Sequence, residues 1–229
     1  MIYTVISDIN EFKSARESAE KRDCHSWQPL TLIPSELRSY IENSGSDEVR
    51  IERLAAYSTL FFTLNKLYGE KCFGIARTPD GKPYLTEDGR SSDIRISISH
   101  SDGLVAVSIS DEYEIGVDIQ SEIEPARAQR LEKRFFSNIN IKEDAFSQEL
   151  LYLDFSGASL DLKKVEISDN DLDEFTKKWA FCESNMKCDG RGFGGIEKIA
   201  EIQKSTKTQV IKIKENSKCF ALSTTIKVP

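Results

Sequence analysis

Hydrophobic and polar positions along this chain switch repeatedly between a period of two and a period near 3.6. Residues 1–8, Met1-Ile2-Tyr3-Thr4-Val5-Ile6-Ser7-Asp8, read as a first strand, and the polar stretch from Glu11 to Arg22 as a short helix. Pro34-Ser35-Glu36-Leu37 has the chemistry of a helix start, and Gly45-Ser46-Asp47 breaks that helix. A long helix is predicted from Glu48 to Tyr68. Leu54, Tyr57, Leu60, Phe61, Leu64 and Leu67 form its apolar stripe and Gly69 its stop. Pro79-Asp80-Gly81-Lys82-Pro83 and Glu87-Asp88-Gly89 are turns.

The clearest extended pattern follows, with Ile94, Ile96 and Ile98 alternating with Arg95, Ser97 and Ser99. A loop at His100-Ser101-Asp102-Gly103 leads into Leu104 to Ser110, and Asp111-Glu112 leads into Glu114 to Gln120. The expected arrangement is a three-stranded antiparallel meander whose third strand delivers Asp118. The helical period returns from Glu124 to Phe136, where Arg127, Arg130, Lys133 and Arg134 are interleaved with Ala126, Leu131 and Phe135. Residues 138–174 are polar and acidic, include Ser156-Gly157-Ala158-Ser159, and carry no assignable period. A helix around 173–187, the run Gly190-Arg191-Gly192-Phe193-Gly194-Gly195, and strands from Gln209 to Lys214 and Cys219 to Lys227 complete the chain. Helices with antiparallel sheets on both sides of the middle make the class α+β, and no internal repeat is legible residue by residue.

Composition narrows the function classes. At 229 residues, 39% hydrophobic and 30% charged, the chain has the make-up of an ordinary globular protein. Its net charge of −7 argues against general nucleic-acid binding, which wants a clustered excess of Lys and Arg. No run approaches the ~18 apolar residues of a membrane span. The first residues lack the basic start and long apolar core of a signal peptide, so a cytoplasmic location is expected. The cysteines are Cys24, Cys72, Cys182, Cys188 and Cys219, with no CxxC and only His25 and His100 as imidazole partners. Reduced thiols are the expectation, rather than structural zinc or disulfides.

Two segments far apart carry the candidate chemistry. In Ile115-Gly116-Val117-Asp118-Ile119-Gln120, alternation puts Asp118 and Gln120 on one side of a strand. In the helix at 179–187, Trp179, Glu183 and Lys187 recur every four residues on one face. Together they offer oxygen ligands for a hard divalent cation and an ammonium for a phosphate, which points to phosphoryl chemistry. Each has a plainer reading. Asp118, inside an apolar strand, is either cation-bound or held in a salt bridge. Glu183 and Lys187 also have the spacing of a surface ion pair.

Taken in order, Gly81-Lys82-Pro83, Ile98-Ser99-His100-Ser101, Gly116-Val117-Asp118-Ile119, Arg134-Phe135-Phe136-Ser137, Trp179…Glu183…Lys187 and Gly190-Arg191-Gly192-Phe193 form a single series. Over about residues 50–225 this series resembles the 4′-phosphopantetheinyl transferases of the surfactin-synthetase-activating type. The resemblance implies two similar α+β halves, 1–120 and 121–229, with the active site in the cleft between them. It implies Mg²⁺-dependent transfer of phosphopantetheine from coenzyme A to a serine of an apo acyl or peptidyl carrier protein, by a monomer. On this view Asp118, Gln120 and Glu183 bind the metal. Glu183 and Lys187 are catalytic, and Arg53, Lys82, Ser99 and His100 hold coenzyme A. Three features depart from the family: Gln120 stands where it usually has Glu, Cys182 where it usually has Lys, and 138–174 is longer than its linker. The alternative implied by those departures is a non-catalytic relative that binds coenzyme A or a carrier protein.

Overall fold

A computed structural model of the protein describes residues 1–21, 27–43, 45–137, 139–156, 160–165, 167 and 172–228. Cys24, His25, Arg22 and the Gly157-Ala158-Ser159 run lie outside the described residues. The elements in chain order are β1 (Ile2–Asp8), α1 (Ile9–Lys21), α2 (Gln28–Thr31), α3 (Ser35–Glu42), α4 (Asp47–Tyr68), β2 (Phe73–Arg77), β3 (Pro83–Glu87) and β4 (Arg90–Ser91). They continue as β5 (Arg95–Ser101), β6 (Leu104–Ser110), β7 (Ile115–Ser121), α5 (Pro125–Leu131) with a π-helical turn at Glu132–Phe136, β8 (Glu149–Asp154) and β9 (Asp161–Lys164). The last are α6 (Glu174–Asp189), a 3₁₀ segment at Gly192–Lys198, α7 (Ile199–Ile202), β10 (Thr206–Glu215) and β11 (Lys218–Lys227). The result is a mixed α+β fold with three sheets and seven α-helices among the described residues.

Helix α4 is the axis of the larger core. Ser46 caps its start by accepting from the Val49 amide, and Gly69 ends it at φ 75°. The expected single stripe is wrong in one respect: every residue from Leu54 to Leu64 is buried. Helices α1, α2 and α3 and the sheet containing β1, β5 and β6 all pack on it, so no face remains for water. Two of the buried hydroxyls along α4 are satisfied within the helix, while Ser58 Oγ has no partner among the described residues. Thr59 Oγ1 donates to the Ala55 carbonyl at 2.9 Å, and Thr63 Oγ1 to the Thr59 carbonyl at 2.7 Å.

The five-stranded sheet runs β5-β6-β1-β8-β9, with β1 antiparallel to β6 and parallel to β8. Here the predicted meander fails. Its first two strands pair as β5 and β6, with Ile98 opposite Val107. The second edge of β6 goes to β1, with Val5 opposite Val107. Strand β7 instead joins β11 and β10 in a separate three-stranded sheet, with Asp118 opposite Ser223. Two serines of β5 hold it alongside: the Val117 amide donates to Ser97 Oγ at 3.0 Å and the Ser121 amide to Ser101 Oγ at 3.2 Å. All seven residues of β6 are buried, so a strand from the chain's beginning can seal it where a local neighbour was expected. His100 and Ser101, expected in a loop, are the last residues of β5, and the turn itself is Asp102-Gly103.

The segment 138–174 also contains structure the sequence pattern did not reveal. Strand β8 is mostly half-buried and β9 mostly exposed, which leaves little apolar alternation to read. Hydrogen-bonded strands cross the position 120/121 in both directions, since β7 pairs with β11 and β8 pairs with β1. Buried hydroxyls line part of the junction: Thr4 Oγ1 lies 2.7 Å from Ser108 Oγ and 3.5 Å from Thr224 Oγ1.

Candidate active site

Helix α6 carries Glu183 and Lys187, and its placement over β7 depends on one glycine. A Cβ on Gly116 would lie 2.0 Å from the Ser184 carbonyl oxygen and 2.5 Å from the Cys188 nitrogen, so only glycine permits this approach. Asp173 caps the helix by accepting from the Thr176 amide at 2.9 Å, and Gly190 closes it in the left-handed region at φ 88°. Hydroxyls fasten its buried face to the sheet beneath. Ser184 Oγ sits 2.7 Å from Ser223 Oγ and 2.8 Å from Thr225 Oγ1, and the Asn185 amide donates to Thr208 Oγ1 at 2.9 Å.

That seating brings the two candidate segments together. Asp118 is only 5% exposed. Its Oδ1 accepts from Lys187 Nζ at 2.7 Å and from Ser99 Oγ at 2.8 Å, while Lys187 Nζ also donates to Ser99 Oγ at 2.9 Å. Lys187, expected to pair with Glu183 if it paired at all, forms its salt bridge with Asp118. Asp118 Oδ2 is buried and has no hydrogen-bond partner among the described residues. The Glu183 carboxyl is held above the usual carboxylate range, first by burial and then by the negative charge of Asp118, with Lys187 opposing.

Beside this cluster is a cavity of about 230 Å³, walled by the Asp80–Pro83 turn, by Ile96–Ile98 of β5, by Met186 and Lys187 of α6, and by Gly190 and Gly192. Lys82 is part of this wall, and its Nζ donates to the Cys188 carbonyl at 3.2 Å and to Glu114 Oε2 at 3.2 Å.

The other predicted site residues are placed differently. His100 is half-exposed, with Nδ1 3.8 Å from Glu52 Oε2. Arg53 lines a different cavity of about 740 Å³ together with Tyr40, Tyr57 and Arg77. Gln120 is half-buried, and its Nε2 donates to the Ser121 carbonyl at 3.0 Å. Cys182 is fully buried against Phe136, Phe181 and Met186, which drives its thiol pKa up to about 12. Trp179 packs on Phe136 and Phe175, with ring centroids at 5.4 Å and 6.2 Å. Arg127, Arg130, Lys133 and Arg134 are all exposed, and no ion pair to an acid of 138–174 forms among the described residues. Among the described residues no three His, Cys, Asp or Glu side chains gather into a metal cage.

No protein-family model matches this chain, and no curated protein matches it. What the chain does must therefore be argued from the site.

Sequence reasoning left out Glu114 and Arg95, which meet beside the cavity: Arg95 Nε donates to Glu114 Oε1 at 2.5 Å. An acid beside Asp111-Glu112 reads as turn chemistry, and an Arg in an alternating strand reads as its wet face. No local signal distinguishes them.

Proposed function

We propose that this protein is a 4′-phosphopantetheinyl transferase, moving phosphopantetheine from coenzyme A to a serine of an apo acyl or peptidyl carrier protein. The observation that carries this reading is convergence. Four separated motifs (Gly81-Lys82-Pro83, the Ile98-Ser99 strand, the Glu183/Lys187 helix and Gly190-Arg191-Gly192) wall one cavity or flank it, with Asp118 hydrogen-bonded to Ser99 and Lys187 beside it. The reading also assigns the two-halved transferase fold, action in the cytoplasm, and a monomeric enzyme. Among the described residues no helix is long and apolar enough to cross a membrane, which fits soluble substrates.

The residues suit the Mg²⁺ this reading requires. Asp118 Oδ2 is a buried oxygen without a partner among the described residues, and Glu183 is a carboxyl whose charged form burial and then Asp118 disfavour. A divalent cation relieves both, and two carboxylates completed by phosphate oxygens and waters are a usual Mg²⁺ set. Gln120 keeps its amide oxygen as a further, neutral donor. When bound, the cation neutralises charge on the pyrophosphate. Lys187 supplies an ammonium to the same phosphates. Glu183, or a water it orients, would take the proton of the incoming serine hydroxyl. The serine oxygen forms the new bond to phosphorus, and adenosine 3′,5′-bisphosphate leaves.

A second reading, binding without turnover, is favoured by two observations. Lys187 already occupies Asp118 Oδ1, and the buried Cys182 provides no replacement for the lysine that the family usually has there. Mass spectrometry of apo carrier proteins incubated with the protein, coenzyme A and Mg²⁺ separates the two. Transfer adds the phosphopantetheine mass, and Asp118→Ala and Glu183→Ala each slow it by more than about 100-fold. Coenzyme A binding with no mass gain on any carrier establishes the second reading instead.

A further inference from the structure

One carboxylate beside the cavity holds two cations. Glu114 accepts from Lys82 Nζ through Oε2 at 3.2 Å and from Arg95 Nε through Oε1 at 2.5 Å. Its backbone is anchored independently of its side chain, because the Glu114 carbonyl accepts from the Lys227 amide at 3.0 Å and from Cys188 Sγ at 3.4 Å. Each cation also has a second hold that does not involve Glu114. Lys82 Nζ donates to the Cys188 carbonyl at 3.2 Å, and Arg95 Nη1 to the Ser92 carbonyl at 2.8 Å. Removing the carboxylate charge therefore leaves both cations in place and un-neutralised.

The geometry points to Glu114 as an intramolecular competitor that sets how tightly the cavity holds an anion, and which anions it holds. Glu114 offers Lys82 one negative charge at short range, so a monoanion gains little by taking its place. A ligand with two or more phosphate groups can offer more than it displaces, because a half-exposed pair is weak. The class selected is a polyphosphorylated compound. The assignment rests on the proposed function only in naming coenzyme A as that compound.

Calorimetric titration of the full chain with inorganic pyrophosphate, and separately with coenzyme A, tests this with Mg²⁺ omitted. Glu114→Gln binds both about fivefold more tightly than the parent, the scale of one exposed charge pair. Glu112→Gln makes the same charge change at a carboxylate that pairs with the Met1 ammonium instead, and leaves affinity unchanged. In a Lys82→Met background the gain from Glu114→Gln disappears. Unchanged or weaker binding by Glu114→Gln, equal tightening by Glu112→Gln, or no pyrophosphate binding by any variant overturns the inference. The two proposals fail separately. Carrier modification by the parent without tightening in Glu114→Gln removes this one alone. Tightened pyrophosphate binding in a protein that modifies no carrier removes the transferase reading alone.

Discussion

Lys187 and Lys82 stand on two walls of one cavity, and each is paired with a carboxylate, yet the two pairs differ in kind. Asp118 is nearly sealed from water and gives one oxygen to Lys187 while the other has no partner among the described residues. Glu114 is 41% exposed, and its two oxygens serve Lys82 and Arg95. A buried carboxylate cannot fall back on water when its cation leaves, so it demands a positive charge whichever group supplies it. A half-exposed one rehydrates cheaply. On the proposed reading, the buried pair is where Mg²⁺ takes the lysine's place at the carboxylate. On the inference drawn for Glu114, the wet pair is where anion affinity is graded.

The largest effect expected from this contrast is on stability. Lys187→Met leaves Asp118 buried and uncompensated and costs about 3 kcal/mol. Mg²⁺ recovers part of that loss, raising the urea midpoint of the variant more than that of the parent. The contrast breaks if Lys187→Met is no more destabilising than Lys82→Met, or if Mg²⁺ moves both proteins equally.

A second effect is pH-dependent and belongs to the buried side. Glu183 titrates above its ordinary value of 4.5 in the folded protein, because burial and Asp118 disfavour its charge. The folded state therefore holds this proton more tightly than the unfolded state does. The resulting stabilisation is complete below 4.5 and is lost as pH rises through the higher folded-state value. Across pH values of about 4 to 8, the parent should lose stability relative to Glu183→Gln as pH increases. Urea midpoints that run parallel across that range would mean that neither burial nor Asp118 raises Glu183. Mg²⁺ should flatten the difference, since a cation favours the charged form.

The smallest effect sharpens the comparison from the wet side. Lys82→Met loses a half-exposed ion pair and a hydrogen bond to the Cys188 carbonyl near the C-terminus of α6, together about 1 kcal/mol. Its stability should be insensitive to Mg²⁺, while salt should narrow its difference from the parent by screening the pair. A loss as large and as Mg²⁺-responsive as that of Lys187→Met would show that the two pairs are of one kind.

Much of this was legible before any coordinates, and the reason is locality. The break at Gly45-Ser46-Asp47 and the stop at Gly69 bound α4, because breaks and a left-handed residue are needs of the chain within a few positions, and the structure adds Ser46 as the cap. Alternation placed Asp118 and Gln120 on the strand that became β7, and helical spacing placed Glu183 and Lys187 on one face of α6. The ordered motifs suggested that these belong together. Local pattern could not tell that β7 would leave its neighbours for β11, because an alternating strand carries a period but not the identity of its partner. Nor could it find β8, whose half-buried residues acquire meaning only beside β1. The i,i+4 spacing of Glu183 and Lys187 suggested a pair. The lysine went to Asp118 because Gly116 lets the helix descend onto β7 and bury that carboxylate. Glu114 had no signature at all until the fold placed Lys82 and Arg95 on either side of it. Residue types and periods were properties of the chain. The choice of which charge meets which, and how much water remains between them, was made only when distant segments packed.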